Sequence, residues 1–223
     1  MNKTHLNFLI QLGDNQQGYV GTNSLSWANQ VLPNNYFDTY LNRRFDRYEL
    51  LAYCQNSLNS DLNVLVAILS WGGMRRDHGR LLFENSDLIL GLVKNLRSGT
   101  FQSRQIAFTA FQQHRIQGRL KGLGIGYFTK LICFLSPQLN GYILDQWLGK
   151  SINLLTGENI IAFTGKGWVN DNNNADIYET FCTYVDNLGQ IFGCSGFEAE
   201  KRLFSVGRGA GDWRNYLIQH YNN

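Results

Sequence analysis

The sequence predicts a mostly α-helical protein, and three observations carry that prediction. Apolar residues recur at three- and four-residue spacing through most of the chain. Capping side chains and glycines punctuate the ends of those segments. With 43% apolar and 13% aromatic residues, 223 residues are enough to bury a sizeable core. Helical periodicity is far plainer than any strand pattern, and the connections it leaves are short.

In chain order, the spacing predicts helices over 48–58, 61–71, 87–96, 102–113 and 128–135. Asp61, and Ser86 with Asp87, stand where N-caps belong, and Gly99, Gly118 and Gly141 mark helix ends. Asp145 precedes a helical stretch over 146–155. Beyond residue 157 the pattern loosens through 163–168, and the polar run 170–174 reads as a loop that Asp176 closes by capping a helix over 177–190. The last helices are expected over 197–206 and 213–221, separated by the glycine-rich 207–211. There are no repeats and no clear linker, so the whole chain, 1–223, is expected to be one unit.

Twenty basic residues against 17 acidic ones give a net charge of only +3. The distribution says more than the total. From Leu88 to Leu144 there are seven basic residues (Lys94, Arg97, Arg104, Arg115, Arg119, Lys121 and Lys130) and no acid, leaving a net −4 on the rest. Such a one-sign segment suggests a polyanion-facing surface, unless the cations spread over several solvated faces. No apolar run is long enough to suggest a membrane span, and residues 1–13 lack a signal-peptide pattern. Cys54, Cys133, Cys182 and Cys194 have no CxxC pair, so they are expected to be reduced and mostly buried in a cytoplasmic protein. No metal site or cofactor is expected.

Inside the basic segment, residues 120–135 read as the end of a helix, a turn carrying Gly122, Gly124 and Gly126, and a second helix beginning at once. Glycines let a phosphate approach the backbone N–H groups, and a helix N-terminus adds partial positive charge. By itself the pattern also fits a tight helix–helix corner. No β-branched strand precedes it, which disfavours a dinucleotide fold.

Together with Thr129–Lys130 and the segment Leu144–Asp145–Gln146–Trp147, this turn resembles the helix–hairpin–helix DNA glycosylase superfamily, in particular its 8-oxoguanine-glycosylase-like branch. The resemblance extends over about 48–217, with a hairpin–helix core at about 101–155. It implies a two-lobed helix–hairpin–helix glycosylase-like fold of intimately shared helical lobes. The lysine-to-aspartate spacing of 15 residues is shorter than the family's, and the C-terminal iron–sulfur cysteines of other branches are missing.

The resemblance implies that the protein extrudes a modified base from duplex DNA and cleaves its N-glycosidic bond. Asp145 would stabilise the positive charge that develops on the deoxyribose; as a residue it is equally an ordinary N-cap. Lys130 would be the amine that attacks C1′ to form a Schiff base, after which β-elimination nicks the strand in a bifunctional glycosylase/AP lyase, or else a solvated lysine or phosphate contact beside the apolar stripe of its helix. Arg75, Arg76, Arg119 and Lys121, with the three hairpin glycines, would hold DNA. Trp71, Met74, Trp147, Trp168, Phe204 and Trp213 would wedge the duplex or line the base pocket, although each aromatic also suits a core position. The implied substrate is an oxidised purine such as 8-oxoguanine, or a bulky hypermodified base of phage DNA. Monomeric action without a membrane is expected. The alternative is a non-catalytic DNA-binding module that uses the hairpin for phosphate contact alone.

Overall fold

A computed structural model describes residues 1–13, 19–204 and 211–221. Its described residues form α1 (Lys3–Leu12), α2 (Ser24–Val31), α3 (Arg47–Gln55), α4 (Asp61–Trp71), α5 (Arg76–Phe83), α6 (Ser86–Arg97), α7 (Arg104–Ile116), α8 (Ile125–Leu135), α9 (Gln146–Thr156), α10 (Ala175–Phe192), α11 (Gly196–Leu203) and α12 (Asp212–His220). Among them the only β-type pairing is one antiparallel bridge, Phe163 to Val169. The mostly helical expectation holds.

The chain divides into two compact units, Val20–Gly141 and the pair of segments Met1–Tyr19 with Tyr142–Asn223. In the first, α4 buries every residue from Val64 to Trp71 and packs against α2, α3, α6 and α8. Each such Leu, Ile or Val contributes roughly 1.5–3 kcal/mol when fully buried. The Ser70 hydroxyl, also buried, donates to the Ser24 hydroxyl at 2.8 Å. Helix α8 is enclosed in the same way, with α3, α4, α6 and α7 around it. Phe128 meets Phe108 edge-on at 4.9 Å and stacks on Phe111 at 5.5 Å.

In the second unit, α9 is the central helix, packed by α1, α10, α11 and α12. Two buried asparagines fix the irregular stretch after it. Asn153 donates to the Ile161 carbonyl and accepts from its N–H, both at 2.9 Å. Asn173 does the same for Ala162, at 2.8 and 2.9 Å. Main-chain groups that would otherwise be buried without partners are satisfied, so a coil can run through the interior.

Several local expectations need correction. The N-caps are Ser60, Asn85 and Asn174, one or two residues ahead of the expected Asp61, Ser86 and Asp176. Helix α8 starts at Ile125 because Gly124 is extended and serves as its N-cap. Helices α1, α2 and α5 were not legible in the periodicity. Helix α11 ends at Leu203 because Phe204 is extended and forms its C-cap, and residues 205–206 of the expected continuation, like 207–210, lie outside the described residues. Cys54, Cys133 and Cys182 are buried free thiols and Cys194 is a partly buried one, as expected.

Candidate active site and nucleic-acid interface

The hairpin belongs to the unit Val20–Gly141. Gly122 has φ +80°, and a Cβ there would lie 2.4 Å from the His78 carbonyl oxygen, so both conformation and space demand glycine. Gly124 differs: its φ is −77°, and nothing lies within 4 Å of where a Cβ would stand. That open space lies at the start of α8, whose N-terminus has no side-chain cap. A phosphate fits such an end, held by backbone N–H groups and the helix dipole. Arg115 braces the turn by donating to the Leu123 carbonyl at 2.9 Å.

The turn after α4 packs on this hairpin. Tyr127 donates to the Gly73 carbonyl at 3.4 Å, and His78 of α5 touches Gly122. Arg75 and Arg76 are exposed there, as are Arg119 and Lys121 on the hairpin side. Arg75 is bound to Asp77 at 2.6 Å. Trp71 and Met74 lie on the same stretch but are only 2% exposed. Their surface is spent on the core: the Met74 carbonyl accepts from the Trp27 indole at 2.7 Å, and Trp71 meets Phe134 edge-on. The exposed part of this turn is arginine rather than apolar.

Lys130 is not beside solvent, as its place next to the apolar stripe suggests, but 7% exposed. Its amine donates to the Gly126 carbonyl at 2.8 Å and lies 5.5 Å from the Tyr127 ring. Gly72 makes the room, since a Cβ there would come within 2.9 Å of the lysine Cδ. The loop that bears the two arginines thus packs on the methylenes of this side chain. Below it, burial pushes the Cys133 thiol up, with Arg47 and Lys130 opposing, which marks a neutral thiol rather than a reactive thiolate.

Asp145 belongs to the other unit. It is the N-cap of α9, and its Oδ1 accepts from the N–H groups of Trp147 at 2.8 Å and Leu148 at 3.1 Å. Buried Ile143 and Leu144 anchor it from one side. A relay anchors the helix from the other: the Trp213 indole donates to Ser151, whose hydroxyl donates to the Trp147 carbonyl at 2.7 Å. Asp145 is partly exposed, and its second oxygen is not committed to the cap. The cap therefore engages one oxygen of the carboxyl group and leaves the other outside it.

Around Asp145 the structure assembles groups the sequence did not single out. Arg214, 6% exposed, lays its guanidinium 3.4 Å over the Trp147 ring. Burial lowers its pKa to about 10 against the opposing pull of Asp145. Lys150, one turn beyond Trp147, sits among Trp147, Phe163 and Tyr221. Its one legible signal was a cation three residues after an aromatic in a predicted helix; Arg214 and Tyr221 come from the far end of the chain. Trp168 is 59% exposed and Phe204 partly exposed, whereas Trp213 is fully buried and serves the relay. Among the described residues no cluster of metal-ligating side chains occurs, and no helix is long and apolar enough to cross a membrane.

A mostly helical chain with a glycine hairpin opening a buried helix and an aspartate heading another has the architecture of a helix–hairpin–helix glycosylase. Residues 16–204 match the family described as "putative 8-oxoguanine DNA glycosylase OGG-like protein", and the chain belongs to that family. It is accordingly a DNA glycosylase in the general sense, with DNA as its partner. No curated protein and no solved structure is matched by the chain.

Proposed function

We propose that the protein extrudes a modified base from double-stranded DNA and breaks its N-glycosidic bond, leaving an abasic site. The observation that carries this reading is Asp145, a carboxyl group fixed through one oxygen at a helix start, with the other not committed to the cap. As the C1′–N bond breaks, the base departs with the bonding electrons and positive charge builds on the sugar. A preorganised carboxylate stabilises that charge without reorganising. The hairpin at Gly122, Gly124 and Gly126, with Arg119 and Lys121, grips phosphates, while Arg75 and Arg76 contact the duplex opened by base extrusion. Trp147, Trp168 and Phe204, partly or largely exposed, are the aromatics left to line the base pocket.

In this reading Lys130 is the amine that displaces the base, giving a Schiff base at C1′ that water hydrolyses to the abasic site and free amine, or that β-elimination resolves with a nick in the strand before water releases the amine. It must first leave the Gly126 carbonyl before it can attack. The family points to an oxidised purine, 8-oxoguanine, as substrate; a bulky hypermodified base of phage DNA would make the same chemistry an antiviral defence. Mass spectrometry of bases released from oxidised and phage-modified DNA separates the two. Asp145→Asn tests the chemistry, since asparagine caps helices as well as aspartate does. The expected outcome is an unchanged melting temperature with base release abolished; full release would overturn the assignment. Lys130→Ala is expected to stop base release too, and release at the full rate would assign attack to water.

A further inference from the structure

Lys94 and Arg97, two of the seven cations of the acid-free segment, take no part in the hairpin. With Asp61, Ser57 and the buried Cys54 they line a cleft of about 260 Å³ within the unit Val20–Gly141. Helices α4 and α8 locate it, each of 11 residues and about 16 Å long. The cleft touches the first residue of α4, Asp61, and the last of α8, Leu135, whereas the hairpin and the turn packed on it lie at the opposite ends of both helices. Donors outnumber acceptors there. Helices α3, α6 and α8 end at the cleft, and their closing carbonyls are taken: Phe134's by the Gln55 amide at 2.7 Å, Asn56's by Arg97 at 3.1 Å, Leu96's by the Ser136 hydroxyl at 2.6 Å, and those of Lys94 and Asn95 by main-chain N–H groups. Asp61 is paired with Arg97 at 2.5 Å, which leaves the charge of Lys94 unmatched. Among the described residues neither the Lys94 ammonium nor the Ser57 hydroxyl has a hydrogen bond or ion pair. Arg97 spends only two of its five N–H donors, on Asp61 and Asn56.

We infer that this cleft binds the phosphate of a small phosphate ester, with Lys94 and Arg97 on its oxygens and Ser57 donating to one of them. A cation, a hydroxyl and a guanidinium with N–H groups to spare are complementary to a tetrahedral oxyanion, whose oxygens accept from several directions at once. The volume lies a little below the range of about 300–1,000 Å³ usual for small-molecule sites, and it is several times a water's share of about 30 Å³. There is room for a phosphate and a small organic group. The ester comes from solution, because the cleft is at the end of α4 and α8 away from the hairpin that would grip DNA. The inference does not rest on the glycosylase reading: it concerns another ligand, at the other end of the same unit.

The test titrates the intact protein calorimetrically with ribose 5-phosphate, and with ribose as the control that lacks the phosphate, in buffers matched for ionic strength with chloride. Saturable binding of the ester and none of ribose is expected. Lys94→Gln removes the charge from an exposed position. It is expected to melt close to the wild type in ligand-free buffer and to lose at least about tenfold in affinity for the ester, as the loss of one hydrogen bond to a charged group would give. Gly124→Ala, which fills the phosphate place at the hairpin, is expected to bind the ester as the wild type does. No saturable binding by the wild type would overturn the inference. So would binding that Lys94→Gln leaves unchanged, or that Gly124→Ala removes. A phosphate supplied by DNA instead would show as an ester that does not bind and a salt slope of duplex binding lowered by about 0.9 in Lys94→Gln, and that result would overturn the inference too.

Discussion

Two glycines two residues apart do different work. At Gly122 an alanine meets the His78 carbonyl and must also hold a positive φ, which alone costs about 1–2 kcal/mol. Gly122→Ala is expected to lower the melting temperature measurably. Gly124→Ala is expected to leave it within a degree or two of wild type, since its φ is ordinary and the space beside it is open. There the methyl occupies the phosphate's place, so the loss should appear in DNA affinity; unchanged affinity would remove Gly124 from the interface. The sequence marked both glycines as a group, but only the contact with His78, more than forty residues away, shows that Gly122 is required by packing and Gly124 is not. Lys130 teaches a similar lesson. Helical periodicity put it beside the apolar stripe, yet four helices surround α8 and bury every residue from Phe128 to Leu135, and the missing side chain at Gly72 admits the lysine.

At the scale of elements, the pairing of α1 with α12 carries a pH dependence. The His5 ring shares a 2.9 Å hydrogen bond with the Tyr216 hydroxyl, Phe8 stacks on Tyr216 at 4.0 Å, and His220 lies 5.8 Å from His5. Burial, then His220, lowers the pKa of His5 from the ordinary 6.5. Below 6.5 the unfolded chain therefore takes up a proton before the folded one, and stability falls until the pH passes the folded-state value. The melting temperature is expected to drop through that window, and His5→Gln to show a shallower drop. Equal slopes in the two proteins would exclude His5 as the cause. None of this was readable from residues 1–12 alone, because a ten-residue helix gains its stability from what it packs on, and its partner is some two hundred residues away.

For the whole molecule, the net +3 conceals where the cations can act. Of the seven in the acid-free segment, Arg97 is bound to Asp61, Arg104 donates to the Asn140 carbonyl, Arg115 braces the hairpin and Lys130 is buried. Lys94, Arg119 and Lys121 remain exposed. Replacing Arg119 or Lys121 by alanine is expected to reduce the salt dependence of DNA binding, measured as the slope of log K against log salt, by about 0.9 each. Melting temperatures should not change. A slope equal to wild type would place that residue off the interface.

The sequence by itself determined the helical class, most helix positions, the hairpin and the capping place of Asp145, because each depends on residues within a few turns of one another. It also carried the family resemblance that the match over residues 16–204 upholds. Tertiary structure decided which candidate side chains are available for chemistry. Trp71, Met74 and Trp213 passed to the core, Lys130 came to rest on a carbonyl, and Lys150 gained its aromatic surroundings with Arg214 at its side. Exposure, desolvation and the company of a distant cation arise only when segments far apart in the chain are brought together, and local pattern contains no term for them.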